Sequence, residues 1–279
     1  MSSSGSGTTI VVPCYNEAAR LDPVRFMRLA ADAGVDLLFV DDGSTDDTAC
    51  VLGELAMLYP ETVEVIGLDR NVGKGEAVRA GLAHALARGA DLVGYYDADM
   101  ATPPDELRRL VETARMYRGV NVLIASRVRL LGCDVRRPTM RHYLGRLFAT
   151  ASGMALSVPI YDTQCGAKIF RRSETLAAAV AEPFVSRWAF DVELLSRLLA
   201  GSAGRPGLPP ESFLEMPLRE WAHVGGSKLR SRAAARAALD LLRIARRARA
   251  ARVRAAHAGV LLVNEAPVLV AVPGNEDAA

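Results

Sequence analysis

Two aspartates one residue apart, Asp97 and Asp99, close the apolar run Leu92–Tyr96, and a helix start, Thr-Pro-Pro-Asp-Glu, follows at residue 102. A short apolar run with that punctuation reads as a buried strand. Open α/β sheets bind ligands beyond the carboxyl ends of their strands, which is where this pair falls. Alternate residues of an extended chain share a side, so the two carboxylates, with Ala98 between them, are expected to face one ion. Close carboxylates repel unless a cation sits between them, and hard divalent cations take oxygen ligands that they share with phosphates. The implied chemistry is a metal–diphosphate site, although acidic pairs at strand ends also serve as helix caps.

The elements that must hold this pair can be read around it. Thr8–Pro13, Asp36–Asp41, Val63–Leu68 and Asn121–Ser126 read as further strands. Helices are expected at about 18–33, up to Leu58, at 76–88 and at 105–118, with Ser44 and Asp47 forming a capping box for the second. Strands alternating with helices imply an α/β protein with a mostly parallel sheet and right-handed crossovers. After Arg127 the alternation stops. A loop over 130–138, helices at about 140–156, after Ser173 and at 190–199, and a short strand at Phe213–Pro217 are expected there. An Ala/Arg-rich helix follows from Lys228 to about Ala256, and the tail to Ala279 has no assignable pattern.

The 279 residues are half hydrophobic and about a quarter charged, enough for a substantial core. Four scattered cysteines without a Cys-x-x-Cys pair argue against zinc and suit a reducing compartment. Met1–Gly7 lacks the apolar core of a signal peptide. The longest uncharged apolar run, Leu147–Tyr161, has 15 residues, short of the roughly 20 that cross a bilayer. A soluble or peripheral protein is expected. Between Lys228 and Arg254 ten Lys/Arg stand against one Asp, a net of +9, while the whole chain is +2, leaving −7 elsewhere. A basic segment on an acidic body points to an anionic surface as partner.

Four motifs on successive strand ends carry a resemblance: Pro13-Cys-Tyr-Asn-Glu17, Val40-Asp-Asp-Gly-Ser-Thr45, Arg70-Asn-Val-Gly-Lys-Gly75 and Asp97-Ala-Asp99. They resemble the family 2 inverting glycosyltransferases of the GT-A fold. Ala125-Ser-Arg127, Arg141, Asp162-Thr-Gln-Cys-Gly166 with Lys168 and Phe170, and Trp221 with Gly226-Ser-Lys228 resemble the polyprenyl-phosphate branch. Within it the likeness is to the dolichyl-phosphate β-glucosyltransferases. The resemblance covers about residues 8–245 and implies a GT-A domain over 8–220, with a nucleotide-binding half (8–126) and an acceptor half (127–220). The basic amphipathic helix would occupy 221–257 and the unassigned tail 258–279.

The roles that this resemblance implies agree with the residue chemistry. Pro13–Glu17 and Asp41 would hold the nucleotide, with the Tyr15 ring on the base and Glu17 and Asp41 accepting hydrogen bonds. Lys74, in Gly73-Lys74-Gly75, would line the donor site; the loop is not a Walker A motif. Asp99 with Asp97 would hold Mg²⁺ or Mn²⁺. Arg127 and Arg141 match family positions near the reacting phosphates, where a guanidinium suits the geometry. Ser227 and Lys228 fit a further phosphate contact, or simply begin the basic helix.

Asp191, at a helix start, is the candidate base, with Asp162 a second candidate of more structural character. A phosphate acceptor is already largely ionised at neutral pH, its second pKa being about 6, so Asp191 could serve only to orient it. The mannosyl branch carries an arginine three residues before the glycine matching Gly225, and Ala222 stands there. UDP-glucose is therefore expected over GDP-mannose.

Leu229, Ala233, Ala237, Leu241, Ile244 and Ala248 form an apolar stripe among arginines. It suits an anionic membrane surface contacted by 228–256, or a helix packing on the body. The expectation is a cytoplasmic enzyme, peripheral at the inner face of the cell membrane, that moves glucose onto a polyprenyl phosphate. No nucleic acid is expected, because no aromatic residues interleave with the arginines. The alternatives are a soluble transferase for a small-molecule or polysaccharide acceptor, a GDP-mannose-using enzyme, and a catalytically silent binding protein.

Overall fold

The computed structural model describes residues 7–128, 130–136, 153, 158–187, 189–202, 205–222 and 239–251. Of the sequence expectations, the helix at 140–156 and the tail at 258–279 lie outside the described residues, apart from residue 153. So do Arg141, Ser227 and Lys228.

Seven strands form one sheet in the order β3-β2-β1-β4-β7-β5-β8. They are β1 (Thr8–Cys14), β2 (Asp36–Asp41), β3 (Val63–Gly67), β4 (Leu92–Tyr96), β5 (Val122–Ser126), β7 (Ala167–Arg171) and β8 (Phe213–Pro217). All neighbours pair in parallel except β7, which runs antiparallel between β4 and β5. Each parallel strand from β2 to β5 is reached by a helical crossover: α1 (Pro23–Ala33), α2 (Thr48–Leu58), α3 (Lys74–Ala87) and α4 (Pro104–Met116). Later come α5 (Glu174–Ala181) and α6 (Phe190–Ala200), and a second, two-stranded sheet pairs β6 (Asp134–Arg136) with β9 (Glu220–Ala222). Residues 239–251 form a last helix, α7.

The central strands β2, β4, β5 and β7 are buried on both sides, and alternate residues feed different cores. Val12, Phe39 and Tyr96 join Phe26 and Leu29 of α1, Leu52 of α2 and Leu110 of α4. Val11, Val40 and Tyr95 join Val78 and Leu82 of α3, Leu176 of α5 and Leu194 of α6. Local chemistry sets the helix ends. Asp22 caps α1, its carboxylate accepting from Arg25 N at 3.0 Å, with Pro23 as first helical residue. Ser173 caps α5 through Leu176 N at 3.1 Å.

Two local expectations change. Ser44 does not cap α2: its hydroxyl donates to Asp41 Oδ1, and Asp46 instead accepts from Thr48 N at 3.0 Å. The turn after β2 folds back on the strand end, so the hydroxyl meets the nearer carboxylate. The segment at 161–170, which carries no strand expectation, supplies β7. Its pairing partners lie far away in sequence, beyond the reach of a local pattern.

Candidate active site

The carboxyl ends of β1, β2 and β4 and the first turn of α3 converge on one group of charged side chains. At the end of β2, Asp41 Oδ1 accepts from Ser44 N at 3.1 Å and from the Ser44 hydroxyl. The next carboxylate, Asp42, accepts from Val72 N at 2.7 Å and Gly73 N at 2.9 Å, which ties the β3–α3 loop to β2. Burial pushes the Asp42 carboxyl above its ordinary value, against those two N–H groups.

Beyond β1 the chain turns through Asn16, whose φ is +53°. Its side-chain oxygen accepts from Thr45 N at 2.8 Å, and its own N–H donates to the Ser44 hydroxyl at 3.0 Å. Pro13 lies within β1, and Tyr15 is half-buried beside this turn. Glu17 departs from its expected role: both its carboxylate oxygens are taken by the Arg20 guanidinium, and it is buried. An ion pair three residues apart on one turn offers that carboxylate a permanent partner. The same turn brings in Arg20, which the sequence reading passed over. Its charge is felt by both Asp97 and Asp99.

Asp97 and Asp99 come together by a route other than strand alternation. Strand β4 ends at Tyr96, and a turn follows in which Met100 N donates to Asp97 O at 3.1 Å and Met100 adopts φ +50°. Ala98 packs into the core beneath. Asp99 Oδ1 accepts from Ala101 N at 3.0 Å. Burial, then the adjacent Asp97 carboxylate, push the Asp99 carboxyl above the ordinary carboxylate range.

Lys74 Nζ stands 2.5 Å from Asp97 Oδ1. Desolvation works against the Lys74 charge, yet Asp97, Asp191 and Asp99 outweigh it and hold its pKa above the usual lysine value. Room for Asp97 is made by Gly166, where any Cβ would overlap the carboxylate. Gly75 likewise lets α3 approach Phe190, whose Cβ would lie 2.8 Å from a side chain there.

The second half closes the site with buried ion pairs. Arg127, just past β5, grips Asp162 with Nε–Oδ2 at 2.7 Å and Nη2–Oδ1 at 2.8 Å, and its guanidinium lies 5.4 Å from the Trp221 ring. Asp162 N and Tyr161 N donate to Glu215 at 2.7 and 2.8 Å. Asp191 is buried, and its Oδ1 accepts from Lys168 Nζ at 2.7 Å and from the Tyr95 hydroxyl. Among the described residues, its Oδ2 meets Gln164 Nε2, at 3.5 Å. Lys168 is fully buried and also donates to Cys165 O at 2.7 Å. Glu193 accepts from Val185 N and pairs with Arg197, each contact structural.

The donor set suits a hard divalent ion. Asp97 and Asp99 are adjacent oxygen donors whose mutual repulsion is registered in the raised Asp99 pKa. Among the described residues, no group of three or more His, Cys, Asp or Glu side chains gathers to hold a metal.

The stripe expected to lie on a membrane is turned inward where it is described. Leu241, Ile244 and Ala248 of α7 are buried, and Leu241 and Ile244 join the core of α3, α5 and α6. An apolar stripe with protein surface within reach buries itself there. The Ser186 hydroxyl bonds Asp240 at 2.8 Å. Leu239, Leu242, Arg243, Arg246, Arg247 and Arg249 face outward. No helix among the described residues is long and apolar enough to cross a membrane.

This sheet, with acidic residues beyond β2 and β4, is that of a GT-A-like enzyme. Residues 9–175 match the model of Glycosyl transferase family 2; the chain belongs to that family and is a glycosyltransferase. Over 251 residues it is 34% identical to a dolichyl-phosphate beta-glucosyltransferase of Trichomonas vaginalis, covering 85% of this chain and 70% of that one. It is 36% identical over 243 residues to the dolichyl-phosphate beta-glucosyltransferase of Drosophila melanogaster, covering 79% and 68%. Its fold matches glucosyl-3-phosphoglycerate synthase from Mycobacterium tuberculosis, solved with Mn²⁺, UDP and glucosyl-3-phosphoglycerate. That match has a TM-score of 0.56 at 21% identity and covers 91% of this chain and 80% of the other.

Proposed function

We propose that this glycosyltransferase moves glucose from UDP-glucose, with inversion, onto a polyprenyl phosphate, working as a peripheral enzyme at the cytoplasmic face of a membrane. The observation that carries the reading is the acidic pair beyond β4, with Lys74 Nζ 2.5 Å from Asp97 and the charge of Arg20 felt by both carboxylates. That is an arrangement for a diphosphate and its counter-ion. The names of its relatives supply glucose and dolichyl phosphate as the substrate pair.

In this reading Pro13 and Tyr15 border the base, and Asp41 accepts from the ribose through Oδ2, since Ser44 occupies Oδ1. Glu17 acts by holding Arg20 toward the phosphates. Asp97 and Asp99 would hold Mg²⁺ or Mn²⁺, which when bound offsets the charge on the departing diphosphate. Arg127, locked by Asp162, keeps its Nη1 edge for a phosphate oxygen; Arg141, Ser227 and Lys228 are proposed as further phosphate contacts. The acceptor phosphate arrives ionised, so the attacking oxygen has little need of a base. Asp191, anchored by Lys168 and Tyr95, then presents Oδ2 on the acceptor side and orients the nucleophile in line.

A panel of radiolabelled nucleotide sugars offered with polyprenyl phosphate, followed by organic extraction, tests the reading. Label from UDP-glucose is expected in the organic phase. Label from GDP-mannose, or only in a water-soluble product, would replace it with one of the alternatives. The outward arginines of α7 are proposed to meet anionic lipid at about 1 kcal/mol per basic residue. Changing Arg243, Arg246, Arg247 and Arg249 to Gln should then reduce flotation with anionic liposomes, while leaving neutral liposomes indifferent.

A further inference from the structure

The donor site carries a cation of its own. Lys74 Nζ lies 2.5 Å from Asp97 Oδ1, with the two side chains 40% and 32% exposed. The two side chains are therefore partly exposed, although the Oδ1 that meets the ammonium is itself buried; the Lys168–Asp191 pair, at 0% and 7%, is sealed throughout. Lys74 is the first residue of α3, behind Gly73 at φ +103°, and its ammonium rests 5.9 Å from the Phe190 ring. A lysine head is a compact point charge on a four-carbon stem, free to change partners without moving the backbone.

A divalent ion binds carboxylate oxygen at about 2.0–2.6 Å. The ammonium already occupies that shell of Asp97 Oδ1, and two cations crowded on one oxygen repel strongly where water is partly excluded. An ion that takes Asp97 through Oδ1 must displace Lys74. The nearby acidic alternatives offer little, because Asp191 is engaged by Lys168 and Asp99 is the other metal donor. An incoming diphosphate supplies the missing anion in the same place.

We propose that Lys74 is a tethered counter-cation. It holds Asp97 while the donor site is empty and passes to the diphosphate when the divalent ion binds. Metal and nucleotide then bind as a coupled pair, and the coupling is reciprocal. Metal alone leaves an ammonium without a partner, nucleotide alone leaves the Lys74–Asp97 pair to be broken without replacement, and both together satisfy every charge. This inference rests on the donor-site reading above.

The test is Mn²⁺ titration followed by the electron paramagnetic resonance of free Mn²⁺, with and without saturating UDP, on the full chain and on Lys74→Met, Lys74→Gln and Lys74→Arg. For the unaltered protein, UDP should tighten Mn²⁺ binding by about tenfold or more, within the usual range of coupling. Lys74→Met and Lys74→Gln should bind Mn²⁺ alone about fivefold tighter or more than the unaltered chain, with the UDP enhancement cut by a similar factor. Lys74→Arg, which keeps the charge, should behave like the unaltered chain. Equal Mn²⁺ affinity in the Met and Gln variants, or an undiminished UDP effect in them, overturns the exchange while leaving the metal site standing. A chain that takes no Mn²⁺ even with UDP overturns both.

Discussion

The two halves of the molecule treat the aspartates of the site in opposite ways. In the first half, Asp41, Asp42 and Asp99 are held by N–H groups of turns, and Asp97 by a lysine that solvent can reach. In the second half, Asp162 and Asp191 are clamped by cations from elsewhere in the chain, Arg127 just past β5 and the fully buried Lys168 of β7. Turn N–H groups fix a carboxylate and still leave it a free face for a ligand. A buried side-chain pair gives up that availability for a fixed position, since its desolvation is repaid only by close geometry. The first half is built to exchange partners, and the second to keep still.

The sharpest way to break this contrast is at Lys168. Its removal strands Asp191 in the core, so Lys168→Met should cost about 3–5 kcal/mol of stability by denaturant unfolding. Adding Asp191→Asn should recover part of the loss, because the orphaned charge goes with it. Additive losses would mean that the two side chains are not coupled.

Asp99→Ala should do the reverse. Sugar-nucleotide turnover, read as UDP release from UDP-glucose, should fall about 10²–10³-fold, in line with loss of one charge-stabilising group. The unfolding midpoint should hold or rise, because burial opposes the ionised form of a carboxyl whose pKa is raised. Lost stability here would put Asp99 with the clamped group.

Arg127→Lys comes next. A lysine cannot reproduce the two-pronged grip on Asp162, so a loss of about 1.5–3 kcal/mol is expected, with slower transfer. Equal stability would show the grip to be incidental.

The smallest effect concerns Glu215, whose carboxyl burial pushes above its ordinary value, with Tyr161 and Asp162 N–H groups pulling the other way. A raised acid binds its proton more tightly when folded. Its stabilising share is therefore whole below the ordinary glutamate pKa and fades as pH rises through the folded value. Compared with Glu215→Gln, the unaltered protein should lose stability as pH rises above the ordinary glutamate pKa of about 4.3. A parallel pH profile for the two proteins would remove Glu215 from the account.

What could be read along the chain follows the same division. Strands β1 to β5 and helices α1 to α4 announce themselves because each apolar run is local and each turn carries its own punctuation, as at Asp22-Pro23 and Thr102-Pro-Pro. The acidic residues beyond β2 and β4 stand at those turns, so their place at the strand ends was visible too. Arg20 was not: one arginine in a polar turn carries no pattern, and only the approach of β1 to β4 sets its charge beside Asp97 and Asp99. Nor did alternation along a strand bring Asp97 and Asp99 together; the Met100 turn did.

Sequence alone determined the family chemistry and the parallel half of the sheet, because those depend on neighbours within a turn or a strand. Tertiary structure alone decided that β7 enters antiparallel between β4 and β5. It also decided that Lys168 and Asp191 meet, that Arg127 belongs to Asp162, and that α7 turns its stripe inward. Each of those is a contact between segments separated by tens of residues. Its energy comes from burial and from charges finding one another in a low-dielectric interior, and no local spacing encodes it.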